Sequence, residues 1–159
     1  MAGPGISHSQ LAAKLIVDGC LAGIAGTVQG KMPVAGVQLT ELERADIGLT
    51  QRGHTFFYPL PPTGVFCNLA GTTCTVWFMG ANADADHGLQ ALEAAMKRAY
   101  PKAKQAKDDV DPTDAALRTR RYEIDFGNSR LAVMDVWYPA RNVAPKKFQA
   151  HISALIRRN

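Results

Sequence analysis

The chain is short of the residues that usually mark an activity. Its 159 residues include three cysteines, four histidines and four glutamates. It contains no GxSxG, HExxH or P-loop sequence, and its glycines match no phosphate-binding pattern. The sequence therefore favours a protein that is not an enzyme, and it indicates no cofactor.

Long hydrophobic runs are also missing. No stretch of about 18 uncharged apolar residues is present, so no membrane-spanning helix is expected. The most apolar stretch, 11–27, is a poor signal peptide because Asp18 interrupts it and only Lys14 supplies a nearby positive charge. Hydrophobic residues make up 47% of the chain and charged residues 20%, as in globular proteins. We expect one soluble domain over 1–159, with residues 1–8 disordered or derived from an expression vector.

Helical spacing of apolar residues occurs in three main stretches, 9–28, 85–100 and 145–157. Ser7 and Gln10 form a capping-box pattern before the first stretch. Thr40 and Glu43 repeat that pattern and predict a short helix over 41–47. Residues 102–114 are polar and are expected to form an exposed loop.

Strand patterns occur over 54–58, 65–69, 73–79, 121–126 and 130–138, grouped as hairpins. A turn at Ala70-Gly71 would place Cys67 opposite Cys74, with both thiols on one face. In the last hairpin, alternation places Tyr122, Ile124 and Phe126 on a common face. Hairpins favour an antiparallel sheet, so we predict an α+β fold with about five strands packed against three main helices.

The cysteines are the most informative residues of the chain. A disulfide between Cys20 and Cys74, or between Cys20 and Cys67, would join the first helix to the sheet, whereas a Cys67–Cys74 bond would bridge adjacent strands. The chain-entropy model favours the long loops, at about 4 kcal/mol against roughly 2–3 kcal/mol for the short one. Three buried thiols acting as small hydrophobic groups are the alternative. One intramolecular disulfide, together with scarce glutamate, favours an exported or periplasmic protein over a cytoplasmic one.

Catalytic cysteine is a competing interpretation. A hydrolase or other thiol enzyme would use Cys67 or Cys74 as nucleophile and His54 as base. The spacing of these residues does not require them to meet, so structural cysteines are favoured.

A polar cluster precedes the second main helix and contains Asp84, Asp86 and His87. These side chains could bind a divalent metal. The cluster lacks the twelve-residue calcium-loop pattern, however, and aspartate is a preferred helix-capping residue. Helix capping is therefore favoured, and no metal is expected.

Positive charge is concentrated in the second part of the chain. Residues 1–96 hold 4 basic and 7 acidic residues, whereas residues 97–159 hold 14 basic and 7 acidic ones. Such asymmetry can indicate nucleic-acid binding. Glu123 and Asp125 dilute the charge on one side of the last hairpin, so this alternative is disfavoured. The basic residues considered are Arg118, Arg120, Arg121, Arg130, Lys146, Lys147, Arg157 and Arg158.

The aromatic residues of the strands give the best indication of function. Trp77 faces away from Cys74, so it would lie on the other side of the sheet. Trp77, Trp137 and Tyr138 are candidates for a partner surface. We therefore expect a small non-enzymatic binding domain whose partner is an unidentified protein or an apolar small molecule.

Overall fold

One antiparallel sheet of eight strands, in the order β1-β2-β3-β4-β8-β7-β6-β5, organises the described part of the chain. The computed structural model describes residues 6–25, 36–49, 53–61, 63–79, 85–127, 130–140 and 147–156, without the side chains of Asp86, Leu155 and Ile156. The strands are β1 (Val37–Gln38), β2 (His54–Leu60), β3 (Thr63–Ala70), β4 (Thr73–Met79), β5 (Lys104–Val110), β6 (Leu117–Gly127), β7 (Arg130–Pro139) and β8 (Lys147–Ile156).

The N-terminal helix has three consecutive segments: α-helical His8–Lys14, π-helical Leu15–Leu21 and α-helical Ala22–Ala25. Its predicted capping box is confirmed, because Ser7 Oγ accepts a hydrogen bond from the backbone N–H of Gln10, and Gln10 Oε1 accepts one from the backbone N–H of Ser7. The second capping box, Thr40 with Glu43, begins the short helix Glu41–Asp46 as predicted.

A third helix, Gly88–Ala99, follows a 3₁₀ turn at Ala85–His87. It packs beside the N-terminal helix, and together they cover one face of the sheet, which we call the helix face. None of the helices described here is long and apolar enough to cross a bilayer.

The antiparallel α+β class is confirmed, but the strand count of about five is wrong. Residues 145–157 were expected to be a helix, yet Lys147–Ile156 is strand β8. Phe148 and Ile152 are four residues apart, a spacing that suits a helix as well as alternate positions of a strand. Pairing with both β4 and β7 decides in favour of the strand.

The other missed strands lie at the sheet edges. The predicted loop 102–114 contains β5, whose polar side chains are mostly exposed. Charged residues are common on edge strands because they discourage pairing with another chain, so polarity alone did not identify a loop. Strand β1 is only two residues long and pairs with β2.

The turn of the β3–β4 hairpin lies one residue later than predicted, so the strands pair with a register that differs by two residues from the prediction. The turn is at Gly71-Thr72, with Gly71 at φ 58°, so Leu69 faces Cys74 and Cys67 faces Val76. Both thiols still lie on the helix face. The β6–β7 hairpin is as predicted, with Tyr122 and Ile124 buried. Cys67, Cys74, Tyr122 and Ile124 belong to one hydrophobic core. This core also contains Val65, Val76, Phe78, Met134, Val136, Phe148, Ala150 and Ile152.

Candidate functional site

Three cysteine sulfurs meet between the N-terminal helix and the sheet. A disulfide joins Cys20 in the π-helical segment to Cys74 on β4, with Cα atoms 5.8 Å apart. Cys67 on β3 is free and buried, and its Sγ lies 3.8 Å from Cys74 Sγ. All three sulfurs lie within 4.8 Å of one another, so they form a compact cluster. Of the alternatives that the sequence left open, the structure has the Cys20–Cys74 bond.

The disulfide opens onto a surface pocket of about 330 Å³. Gly19 and Gly23 line this pocket beside Cys20, and the turn residues Gly71 and Thr72 line it from the sheet. Glycine has no side chain to fill the space, so the pocket exists where the helix passes the end of the hairpin. Cys67 is not among its lining residues. The pocket therefore reaches Cys20 and Cys74, which are each 4% exposed, whereas Cys67 lies in the core.

The Cys67 thiol is protonated at neutral pH because burial raises its pKa to about 12. A thiolate, not a thiol, is the nucleophilic form of cysteine. His54 is exposed and shares a hydrogen bond of 3.0 Å between its Nδ1 and Gln38 Nε2. Among the described residues, the structure does not bring the predicted base into hydrogen-bond contact with Cys67 or Cys74.

Tyr58 on β2 is a second unusual group near the sulfur cluster. The residue is 3% exposed, and its hydroxyl has no hydrogen-bond partner among the described residues. Burial, with a smaller contribution from the charge of ionised Cys67, raises the Tyr58 pKa to about 12. A buried donor without a partner is uncommon in folded proteins.

An aromatic row crosses the face of the sheet opposite the helix face, beside the short helix Glu41–Asp46. The ring centroids of Phe57 and Phe66 are 4.9 Å apart. Phe66 and Trp77 stack at 5.3 Å with an angle of 11° between their planes. The same register row continues through Gln149 to Trp137. We call Phe57, Phe66 and Trp77 the aromatic row; all three are half-buried.

Polar side chains lie beside the aromatic row on the same face. Thr55 Oγ1 donates to Asn68 Oδ1 at 2.9 Å, and both residues are buried. Thr75 Oγ1 and His151 Nδ1 are 2.7 Å apart. These contacts satisfy the polar groups, which is what burial of polar side chains requires.

Two of the three predicted partner-surface residues share a face. Trp77 and Trp137 lie on the face opposite the helix face, and Trp137 Nε1 donates to Asp111 Oδ1 at 3.1 Å. Tyr138 points to the helix face, where its hydroxyl donates to Asp108 Oδ2 at 2.6 Å. Phe57 and Phe66 were not selected from the sequence, although their register with Trp77 makes them part of the surface.

Several predicted basic residues are neutralised by carboxylates. Arg118 and Arg120 bind Asp108, and Arg121 binds Asp135 at 2.7 Å. Arg120 also contacts Glu93 on the helix Gly88–Ala99. Burial favours a higher pKa for Asp108, but hydrogen bonds from Tyr138 and the two arginines outweigh it and lower the pKa. Lys146, Arg157 and Arg158 lie outside the described residues.

The predicted metal cluster is described only in part. Asp84 lies outside the described residues, and the side chain of Asp86 is not described. His87 is exposed at the end of the 3₁₀ turn and is the N-cap residue of the following helix, without a side-chain capping bond. Among the residues that the structure describes, the potential metal ligands that come together are the three cysteines.

Comparisons with known protein families, curated proteins and solved structures found no significant match to this chain.

Proposed function

We propose that this protein is a non-enzymatic binding domain and that apolar side chains of a protein partner pack on the aromatic row. The observation that carries the proposal is the continuous contact of Phe57, Phe66 and Trp77 on the face opposite the helix face, where the short helix Glu41–Asp46 borders the row beside Phe57 and Phe66. Aromatic residues on a protein surface are typical of interfaces, where they provide a large contact area.

Exposed apolar residues lengthen this surface. Val37 on β1 pairs with Phe57 and is 55% exposed. Met79, two residues after Trp77 on the same face of β4, is 46% exposed. Four neighbouring strands span about 14 Å at their usual spacing, which matches an extended segment of about four residues. The shape therefore suits a peptide segment of a partner.

A panel of fluorescein-labelled nonapeptides with alternating apolar and polar residues tests the proposal by fluorescence anisotropy. We expect at least one peptide to bind, and Trp77→Ala to weaken its affinity by about tenfold or more, as for a central aromatic interface residue. Val110→Ala is the matched control, because Val110 is an exposed apolar residue on the distant edge strand β5. The proposal is wrong if no peptide binds, or if both variants bind as the unmodified protein does.

A further inference from the structure

The spacing of the three cysteine sulfurs suits joint binding of one metal or metalloid ion. Two sulfurs bound to one ion at about 2.3 Å are roughly 3.3–3.8 Å apart, for bond angles from about 90° to the tetrahedral value. Cys67 Sγ and Cys74 Sγ are 3.8 Å apart, and Cys20 Sγ lies within 4.8 Å of both. Reduction of the disulfide would therefore leave three thiols placed as a donor set.

The three sulfurs form a triangle. This shape distinguishes two roles for the Cys67 thiol, attack on the disulfide and binding of an ion. Direct attack of Cys67 on the disulfide needs the three sulfurs in line, which would separate Cys67 Sγ from Cys20 Sγ by about 6 Å. The separation is within 4.8 Å, so the arrangement does not favour internal disulfide exchange. A triangle of sulfurs is instead the geometry of a three-coordinate site.

Access from solvent supports a ligand at this position. The pocket of about 330 Å³ reaches Cys20 and Cys74 from solvent. This observation is independent of the sulfur spacing.

Charge decides which ion the site suits. Three thiolates give a net charge of −2 with a monovalent ion, −1 with a divalent ion and zero with a trivalent one. The described residues that line the pocket include no lysine, arginine or histidine to compensate a negative charge. An uncompensated buried charge costs several kcal/mol. A neutral complex is therefore favoured.

We infer that the reduced protein binds a trivalent thiophilic metalloid, such as arsenic(III), through Cys20, Cys67 and Cys74. A dithiol supplies two electrons and two protons to the Cys20–Cys74 bond and becomes a disulfide itself. Arsenous acid then exchanges three As–O bonds for three As–S bonds. The three thiol protons leave with the three hydroxides as water, and arsenic stays trivalent. This inference does not depend on the aromatic row.

Native mass spectrometry with arsenite tests the inference. The full chain is reduced with a water-soluble phosphine, which does not compete through thiols, and its fold is checked by near-ultraviolet circular dichroism. We expect one arsenic to be gained with the loss of three hydrogens. Cys67→Ala should give an adduct that keeps one hydroxyl and binds at least about tenfold more weakly, because one of three chelating bonds is gone.

Val65→Ala is the matched control for Cys67→Ala, because Val65 is fully buried on the same face of β3 and carries no sulfur. It should keep the three-bond adduct. Four results would overturn the inference: no adduct, unfolding on reduction, equal affinity in Cys67→Ala, or equally tight binding by the protein denatured in guanidinium.

Discussion

Removing the Cys20–Cys74 disulfide should cost a large part of the stability of this protein. The bond spans 54 residues of sequence, so it restricts the unfolded chain over a long loop. The chain-entropy model gives about 4 kcal/mol for a loop of this length. A bond between Cys67 and Cys74, seven residues apart, would contribute only about 2.5 kcal/mol by the same model. The expected loss of stability therefore depends on which two cysteines are joined.

Urea denaturation of the Cys20→Ala/Cys74→Ala double variant measures this effect. With a slope of about 2 kcal/mol per molar urea, a loss of about 4 kcal/mol moves the midpoint by about 2 M. Domains of ordinary stability have about 5–15 kcal/mol, so the variant should still fold. Phosphine reduction of the unmodified protein removes the cross-link but keeps the sulfurs, and it should give a similar loss.

Cys67→Ala is the control, because it leaves the disulfide intact and removes only one buried sulfur. It should lower the free energy of unfolding by about 1 kcal/mol, as for a small cavity in a core. The reasoning fails if the double variant and the reduced protein lose less than about 1 kcal/mol. It also fails if Cys67→Ala is the more damaging change.

Two further predictions concern ionisable groups. Burial raises the Cys67 pKa from 9 to about 12, so its contribution to stability is complete below about pH 9 and is lost as the pH rises toward 12. Between pH 7 and about pH 10.5, urea titrations should show about 2 kcal/mol less alkaline destabilisation in Cys67→Ala, and equal pH dependence would contradict this. Asp108→Ala removes the acceptor that Arg118, Arg120 and Tyr138 share, so at pH 7 it should lower the free energy of unfolding by about 1–3 kcal/mol. Glu123→Gln, at an exposed position of β6, should stay within about 0.5 kcal/mol, and similar losses in both variants would refute the role of Asp108.

Local signals in the sequence predicted local structure well. Both capping boxes begin helices because Ser7 and Thr40 satisfy backbone donors within three residues. The β6–β7 hairpin followed from strict alternation, which reports the burial of one face. These features depend on neighbours in the chain, so the sequence alone contains the information.

Features set by distant pairing could not be predicted in the same way. Strand β8 lies in the middle of the sheet because it pairs with both β4 and β7. The spacing of its apolar residues fits a helix equally well, so the sequence of β8 alone does not show this pairing. The contact between Phe66 and Trp77 depends on a hairpin register that differs by two residues from the predicted one. The cysteine pair was narrowed to two alternatives but not to one, because the choice depends on where the helix crosses the strands.

The position of β8 also has a consequence for synthesis. The strands that precede it form two meanders, β1 to β4 and β5 to β7, and β8 is the last described strand to leave the ribosome. Until then, β4 and β7 have open backbone edges, which are the sites where strands of other chains can add. Completion of the sheet is thus a late, long-range event in folding, and a nascent chain that stops before residue 147 lacks the strand that joins its two halves.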